Sequence, residues 1–283
     1  ATLLKDMELR GRVRFIFQPA EEGQDGGGPS GASRMIQEGV MKGVEAIFAL
    51  HVEPDLPVGV IDCVDGPIMA ASDRFAIRVL GKACHGAYAY KGVDAILLGS
   101  YVVQAVNHII SRNIPASESG VISLGTIQGG TKSNIIPGEV ELSGTIRTFK
   151  AKTREYLFRK LEEACGLTRC FGGDYELKIF PGYPITENDP QLAALVREAG
   201  EDLLDKRIKE RSDHYSPREM GSEDFSFFAL HAPGAYFRLG TGSPGEPPRA
   251  GHNPFFDVNE EALPIGAAML AEVARRYLSR QGD

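Results

Sequence analysis

The order of predicted strands and helices between residues 73 and 182 constrains the fold of this chain most strongly. Alternating apolar and polar residues predict strands, and longer repeats at helical spacing predict helices. The predicted segments are Phe75–Leu80, Asp94–Ile110, Val121–Ile127, Glu139–Thr148, Thr153–Ala164 and Tyr175–Phe180. Their order is strand, helix, strand, strand, helix, strand, which is the ferredoxin-like βαββαβ order. We therefore expect residues 73–182 to form an inserted domain.

The residues on both sides of this block are predicted to form one α/β domain, which the insertion splits. Its predicted segments are strand Arg12–Gln18, helix Ala32–Glu38, strands Ala46–Leu50 and Val58–Cys63, helix Gln191–Leu204, strand Ala235–Leu239 and helix Ala262–Leu278. The first helix is expected to stop at Gly39, since glycine accepts the left-handed conformation that ends helices. The order strand, helix, strand favours a parallel sheet. The expected divisions are residues 1–72, 73–182 and 183–283.

The composition argues against several classes of protein. The formal net charge is −7, whereas a general nucleic-acid binder would carry a basic face. Every apolar run is shorter than the ~20 residues that span a bilayer, so we expect no membrane segment. The four cysteines show no CxxC spacing, and a reduced, cytoplasmic protein is the expectation.

Two adjacent carboxylates, Glu21 and Glu22, follow the first predicted strand in the segment QPAEEG. Functional sites of parallel α/β sheets lie where strands end. One carboxylate of such a pair could bind a metal ion while the other moves protons. The alternative is that both are solvated loop residues, and the pair alone does not decide between these interpretations.

Three histidines occupy positions at predicted loops or strand ends. His51 closes an apolar run, and His252 lies in a Gly/Pro loop before the last helix. Each could be structural, but together with Glu22 they form a set of carboxylate and imidazole groups that suits zinc. His85 follows a strand between small residues, as expected of a histidine that approaches a ligand, although an exposed turn histidine fits equally.

Two further segments carry polar side chains. Asn134 and Arg147 are predicted on facing segments of a hairpin, where the arginine could bind a carboxylate through its planar fork or simply cover a sheet edge. Glu223 and Asp224 follow Ser222, a good helix N-cap, and acids in a first turn suit the helix dipole. That explanation competes with a catalytic role for them.

Seven motifs occur in order along the whole chain: FQPAEEG, ALHV, GKxxH, SNxIPG, GTIRT, MGSEDFS and GHNPxFD. Together they resemble the M20 peptidase family, in particular its amidohydrolase branch of N-acyl-amino-acid, hippurate and indole-acetyl-amino-acid hydrolases. The resemblance implies a split zinc-peptidase-like catalytic domain with an inserted lid and dimerisation domain. It also implies cleavage of the amide bond of N-acyl amino acids by a metal-activated water.

The resemblance assigns roles to individual residues. It implies two divalent metal ions, zinc or manganese, with cobalt or nickel as alternatives. Glu21 would be the general base, and His85 would stabilise the oxyanion in the neighbouring subunit of a homodimer. The remaining expectations are metal ligands at Glu22, His51 and His252, and substrate-carboxylate binding at Asn134 and Arg147.

Some positions depart from the family pattern. The family's Cys-Gly-His-Asp ligand motif, expected upstream of Glu21, is absent, so we expect an N-terminal segment to be missing. Cys84, Ala89 and Ala95 also differ from the residues that are usual in the lid. The alternatives are a catalytically incomplete fragment that only dimerises, or a dipeptidase or carboxypeptidase of the same family.

Overall fold

Strands and helices alternate along the chain, and the mixed α/β fold expected from the sequence is confirmed. The computed structural model describes residues 1–23, 29–204, 218–243, 245, 247 and 251–280. Its strands are β1 Ile47–Pro57, β2 Ile61–Asp62, β3 Gly66–Met69, β4 Ala71–Leu80, β5 Cys84–His85, β6 Gly120–Gly129, β7 Ile135–Ile136, β8 Glu139–Thr148, β9 Asp174–Tyr183, β10 Thr186–Asn188 and β11 Gly234–Gly242. Its α-helices are α1 Gly31–Gln37, α2 Ala95–Asn113, α3 Ala151–Gly166, α4 Pro190–Leu203, α5 Phe225–Ala229 and α6 Ala262–Arg280. Short 3-10 helices occupy Thr2–Leu4, Gly86–Lys91 and Leu167–Phe171.

The chain divides into two compact units. The first contains residues 1–68, 186–219 and 223–283, and the second contains residues 69–185 and 220–222. The sequence placed the divisions after residues 72 and 182, a few residues from those of the two units. The segment 220–222 was expected in the flanking domain, but it groups with the second unit.

The first unit is built on a mixed three-stranded sheet in the order β1-β11-β2. Strands β1 and β11 are parallel, whereas β11 and β2 are antiparallel. Helices α4 and α6 contribute Leu195, Val196 and Met269 to a core that also contains Phe237 of β11. Helix α4 begins where the Asp189 side chain accepts hydrogen bonds from two backbone N–H groups and Pro190 follows, a combination that favours helix initiation.

The second unit contains an antiparallel four-stranded sheet in the order β6-β8-β4-β9. Helices α2 and α3 pack on one face of it, because Leu98, Val102, Val106 and Ile109 recur at helical spacing along α2. Asp94 caps α2 by accepting hydrogen bonds from two backbone N–H groups. The helices and long strands of this unit lie where the sequence predicts them, within a few residues at each end.

The predicted strand Arg12–Gln18 is wrong, because residues 12–18 adopt no regular strand. Phe15 is 51% exposed and Phe17 is 85% exposed, so the run is also not buried. An apolar run becomes a strand only where a neighbouring strand takes up its backbone hydrogen bonds. Among the described residues, the sheet of the first unit contains only β1, β11 and β2.

Two other strand predictions of the first unit need correction. Strand β1 extends to Pro57, so His51 lies within it and pairs with Arg238, rather than standing at the strand's end. The predicted strand Val58–Cys63 is reduced to the two residues of β2. Val58 and Gly59 form a turn before it, and the φ of 85° at Gly59 is readily adopted only by glycine.

A buried ion pair fixes the middle of the second unit. Asp73 is 1% exposed, and the Arg154 guanidinium donates to both of its carboxylate oxygens, one from Nε at 2.7 Å. The backbone N–H of Gly182 donates to the same carboxylate at 3.0 Å. The interaction therefore ties β4 to α3 and to β9.

We expect Asp73→Ala to lower the free energy of unfolding by roughly 3–5 kcal/mol, because it leaves the Arg154 charge without its partner. Asp174→Ala is the matched control, since Asp174 pairs with Arg169 at 2.8 Å on the surface. Urea unfolding of both variants measures the difference. Equal losses in the two variants would contradict the account.

Candidate carboxylate and metal centre

Three carboxylates converge in the first unit. Single oxygens of Glu21, Glu223 and Asp224 all lie within 4.8 Å of one another. Glu223 and Asp224 are buried, whereas Glu21 retains exposed surface. Such a group concentrates negative charge at one point, which is the arrangement that hard and borderline divalent cations bind.

Asp224 is held by two segments of the chain. Nε2 of Gln18 lies 2.7 Å from both of its carboxylate oxygens, and the backbone N–H of Ala32 donates to Oδ2 at 3.1 Å. Gly31 makes this possible, because a Cβ there would lie 1.6 Å from the Pro19 carbonyl oxygen. The start of α1 therefore lies directly against the loop that carries Glu21.

Glu223 is held by the opposite side of the site. Tyr236 on β11 donates from its hydroxyl to Oε2 at 2.8 Å, and the backbone N–H of Phe225 donates to Oε1 at 3.2 Å. Burial, followed by the charge of Glu223, raises the pKa of Tyr236 well above its usual value, so the phenol stays protonated and donates. The Tyr236 ring lies 6.3 Å from the ring of His51 on β1, which places this histidine beside the cluster.

The surroundings of Glu21 make its carboxyl group unusually basic. Burial of the carboxyl, then the charge of Glu223 and a hydrogen bond with it, raise the pKa of Glu21 to about 8. The charges of Asp224 and Glu22 act in the same direction. Although the residue keeps exposed surface, protein atoms and carboxylates surround its acid group, and desolvation is the largest cause.

Two residues with unusual backbone conformation flank the cluster. Among the described non-glycine residues, Ala20 at φ 49° and His252 at φ 57° are the positions with positive φ. This conformation costs about 1–2 kcal/mol per residue and concentrates at functional sites. Ala20 directly precedes Glu21, while His252 places Nδ1 3.6 Å from Oε1 of Glu22. The structure thus brings together two of the three predicted ligands, Glu22 and His252.

A buried arginine anchors the strand that carries His51. Arg238 on β11 is 2% exposed and contacts Asp62 on β2 at 3.3 Å and Glu53 on β1 at 3.9 Å. It also contacts Glu219 at 3.1 Å, four residues before Glu223. One cation therefore joins two strands of the sheet and the segment that leads into the cluster.

The remaining predicted site residues lie in the second unit. His85 belongs to β5, which pairs with β7, and its Nδ1 accepts the backbone N–H of Ala87 at 3.1 Å. The Asn134 carbonyl accepts the backbone N–H of Gly86 at 2.8 Å. His85 and Asn134 are thus parts of one small substructure.

The hairpin prediction for Asn134 and Arg147 is wrong. Arg147 is at the far end of β8, opposite Ser72 and Val121, and its guanidinium donates to the Met220 carbonyl at 2.6 Å. Asn134 lies instead in the link between β6 and β8 that contains β7. The turn of this link falls at Ser133-Asn134 rather than at Pro137-Gly138, and the link makes its own pairing with β5.

The prediction that Ser222 caps a helix is also wrong. Helix α5 begins at Phe225, and Asp224 occupies the N-cap position without a side-chain capping bond. Its carboxylate is turned to Gln18 and Ala32 instead. Helix capping competed with a catalytic role for these acids in the sequence, and the distances among the carboxylates of Glu21, Glu223 and Asp224 reveal their convergence.

Comparison with known proteins places the chain in a family. The family described as Peptidase family M20/M25/M40 matches residues 1–276. N-acetylcysteine deacetylase of Bacillus subtilis (strain 168) is 35% identical over 270 residues, which cover 94% of this chain and 67% of that protein. IAA-amino acid hydrolase ILR1-like 4 of Arabidopsis thaliana is 35% identical over 288 residues, covering 98% of this chain and 63% of that protein.

A solved structure agrees with this placement. A dinuclear metal-binding peptidase of the M20 family from Bacillus subtilis superposes with a TM-score of 0.79 at 33% identity, covering 98% of this chain and 68% of that one. The chain belongs to the M20 peptidase family, and it is similar to amidohydrolases of that family. It spans about two thirds of the length of these relatives.

The raised pKa of Glu21 predicts how the chelator-treated protein responds to pH. The folded protein keeps the proton up to about pH 8, whereas the unfolded chain releases it near pH 4–5. The folded state thus binds more protons across this window, so stability falls as pH rises from about 5 to 8.

We expect Glu21→Gln to flatten this dependence in urea unfolding at pH 5.5, 7 and 8.5 with a chelator present. Glu38→Gln is the control, because Glu38 pairs with Arg34 on an exposed helix face. An unchanged slope in Glu21→Gln would show that Glu21 does not hold the proton.

Proposed function

We propose that this chain supplies the catalytic base and part of the metal centre of a hydrolase that cleaves the amide bond of N-acyl amino acids. The observation that carries the proposal is the convergence of Glu21, Glu223 and Asp224. A carboxylate at such a centre can act as a general base. The similarity to N-acetylcysteine deacetylase and to an IAA-amino acid hydrolase supports the substrate class.

The residues present fit a divalent cation. Carboxylates crowded within 4.8 Å repel one another, and a cation beside them would remove this cost. We propose Glu22, His51 and His252 as ligands, supported by the approach of His252 to Glu22 and by the strained backbone of His252. Carboxylate and imidazole ligands suit zinc, manganese, cobalt or nickel. A bound cation would polarise the substrate carbonyl and make water more acidic.

The chain's own groups would then transfer the proton between the attacking water and the departing amine. Glu21 would accept it from the attacking water and return it to the departing amine, the two roles of a general acid–base group. Glu223 keeps the Glu21 carboxyl in place, and Tyr236 fixes Glu223 by a hydrogen bond. Asp224 ties the Glu21 loop to α1 through Gln18 and Ala32.

We further propose that the second unit is the ferredoxin-like lid of the enzyme. Its long strands and helices follow the βαββαβ order, and its sheet order β6-β8-β4-β9 supports the assignment. His85 would donate to the oxyanion in the neighbouring subunit of a homodimer: because Nδ1 accepts from the backbone N–H of Ala87, a neutral ring carries its proton on Nε2. Asn134 and Arg147 lie near opposite ends of β8, so as proposed partners of one substrate carboxylate they would belong to different subunits.

A homodimer through this unit is part of the proposal. Strand β6 stands at one edge of the sheet, and an unpaired strand edge can accept a strand from a second copy. The exposed side chains of Val121 and Ile127 on β6 favour such pairing.

No described helix is long and apolar enough to cross a membrane, and the four cysteines are unpaired. We also propose a cytoplasmic setting, which fits the unpaired cysteines.

A carboxypeptidase is the second candidate. Thermostable carboxypeptidase 2 of Saccharolobus solfataricus is 36% identical over 286 residues, which cover 98% of this chain and 69% of that protein. Both substrates present an amide next to a free carboxylate, so one centre could serve either. Release of amino acid from N-acyl amino acids and from peptides, compared on the same preparation, separates the two.

We expect Glu21→Gln in the full-length protein to reduce kcat by 10²-fold or more, the effect typical of losing a general base, while metal content stays at the wild-type level. Amino-acid release and elemental analysis measure the two quantities. Glu38→Gln is again the control. Wild-type activity in Glu21→Gln would remove Glu21 from the role of base.

A further inference from the structure

Asn188, at the end of β10, is a buried polar residue that lies outside the carboxylate cluster. It is 1% exposed. Its Oδ1 accepts the backbone N–H of Tyr236 at 2.8 Å, and its Nδ2 donates to the Tyr236 carbonyl at 2.9 Å. The same Nδ2 donates to the carbonyl of Val64 at 2.9 Å. One side-chain amide therefore bonds both backbone groups of the residue whose hydroxyl holds Glu223.

The amide of Asn188 takes the place of a neighbouring strand at Tyr236. Strand β2 ends at Asp62, which pairs with Arg238 of β11 in the antiparallel direction. If this register continued, Val64 would lie opposite Tyr236 and bond its backbone. The Asn188 amide instead bonds both of these residues. The backbone of Tyr236 on the side of β2 is thus fixed by one side chain.

Tyr236 transmits this placement to the carboxylates. Its hydroxyl donates to Oε2 of Glu223 at 2.8 Å, and its buried ring lies 5.4 Å from the ring of Phe225, centre to centre. Glu223 in turn forms a hydrogen bond with Glu21. Because a tyrosine side chain has only two χ angles, a shift of its backbone moves the hydroxyl away from Glu223, and a hydrogen bond weakens steeply when it is misaligned.

Strand β10 also reaches Glu223 directly. Thr186 is fully buried, and its hydroxyl donates to the Glu223 carbonyl at 3.4 Å. Asp189, the residue after β10, donates its backbone N–H to the Gly234 carbonyl at the start of β11 at 2.8 Å. All of these residues belong to the first unit. This strand therefore holds the backbone of Glu223 as well as the strand that supplies its hydrogen-bond donor.

We propose that Asn188 is a positioning residue for the general base. It fixes Tyr236 in the place from which the hydroxyl holds Glu223, and Glu223 holds the carboxyl group of Glu21 toward the attacking water. The inference rests on the proposed amide hydrolysis and adds a residue outside the carboxylate cluster to that reaction. Because Asn188 touches no reacting atom, its loss should slow the chemical step and leave substrate binding unchanged.

A double-mutant cycle on kcat tests this in the full-length protein with its metal, on an N-acetyl amino acid. Tyr236→Phe keeps the ring, and we expect it to lower kcat about 10-fold, the effect of losing one hydrogen bond to a charged group. We expect Asn188→Ala to lower kcat about 3- to 10-fold, with KM within about twofold of wild type. Because Asn188 acts through the Tyr236 hydroxyl, the double variant should lose no more than Tyr236→Phe alone.

A second readout needs neither turnover nor metal. Tyrosine labelled with ¹³C at Cζ gives a Tyr236 signal, identified by its absence in Tyr236→Phe. In the chelator-treated protein, Asn188→Ala should shift this signal, because Cζ responds to the hydrogen bond of its hydroxyl.

Thr168→Val is the control for lost stability. The buried hydroxyl of Thr168 donates to the Cys165 carbonyl at 2.9 Å in the second unit. The variant loses a buried hydrogen bond without touching Tyr236, so it should change neither kcat nor the Cζ signal.

Losses of kcat that multiply in the double variant would show that Asn188 acts independently of the Tyr236 hydroxyl, and they would overturn the inference. Wild-type kcat in Asn188→Ala would do the same. If Asn188→Ala does not fold, Asn188→Asp replaces it under the same criteria, since it keeps the acceptor for the Tyr236 N–H. These failures in an active enzyme remove the inference alone. A wild type that cleaves no N-acyl amino acid would remove the proposed function and this inference with it.

Discussion

The convergence of Glu21, Glu223 and Asp224 is the constraint on which the rest of the first unit depends. Three acids within 4.8 Å repel one another, and burial adds a cost for each charge. The protein meets this cost with surrounding donors: Gln18 and Ala32 at Asp224, and Tyr236 at Glu223. These donors do not remove the whole cost of burial and charge repulsion, and the remainder raises the pKa of Glu21 to about 8.

The convergence of the three acids also accounts for several local features of the first unit. Gly31 has no side chain because the Pro19 carbonyl occupies that space. Ala20 adopts a positive φ at the position that turns Glu21 toward the other two acids. Arg238 gathers Glu53, Asp62 and Glu219 around one buried cation, and this joins the strand of His51 to the segment that leads to Glu223. These features lower the stability of the fold, and they bring three carboxyl groups together at one site.

Sequence patterns predicted what depends on neighbours along the chain. The strands and helices of residues 73–182 were found because their periodicity is local and their core is shared within one unit. Residues 12–18 have the same kind of pattern, yet a strand also needs a partner, which a pattern cannot supply. The extent of β1 was missed for a related reason, since Val52, Glu53 and Pro57 continue to pair with β11 after His51.

The candidate site was predicted in part. Glu21, Glu22 and His252 were recognised because they lie in loops with unusual composition, and the structure places Glu22 beside His252. Glu223 and Asp224 were seen but explained as helix-terminal acids, since a local rule accounts for them equally well. Arg147 and Asn134 were paired wrongly because the register of a sheet depends on long-range pairing. The contacts that would correct both errors span about 70–200 residues.

The position of bound metal tests the central claim most directly. Crystals of the full-length protein with manganese, measured for anomalous scattering, would locate each ion. The account predicts a peak within about 2.2 Å of a carboxylate oxygen of Glu22 and an imidazole nitrogen of His252, with Glu21 facing the same centre. A fully active enzyme whose ions lie elsewhere, away from Glu21, Glu22 and His252, would contradict it.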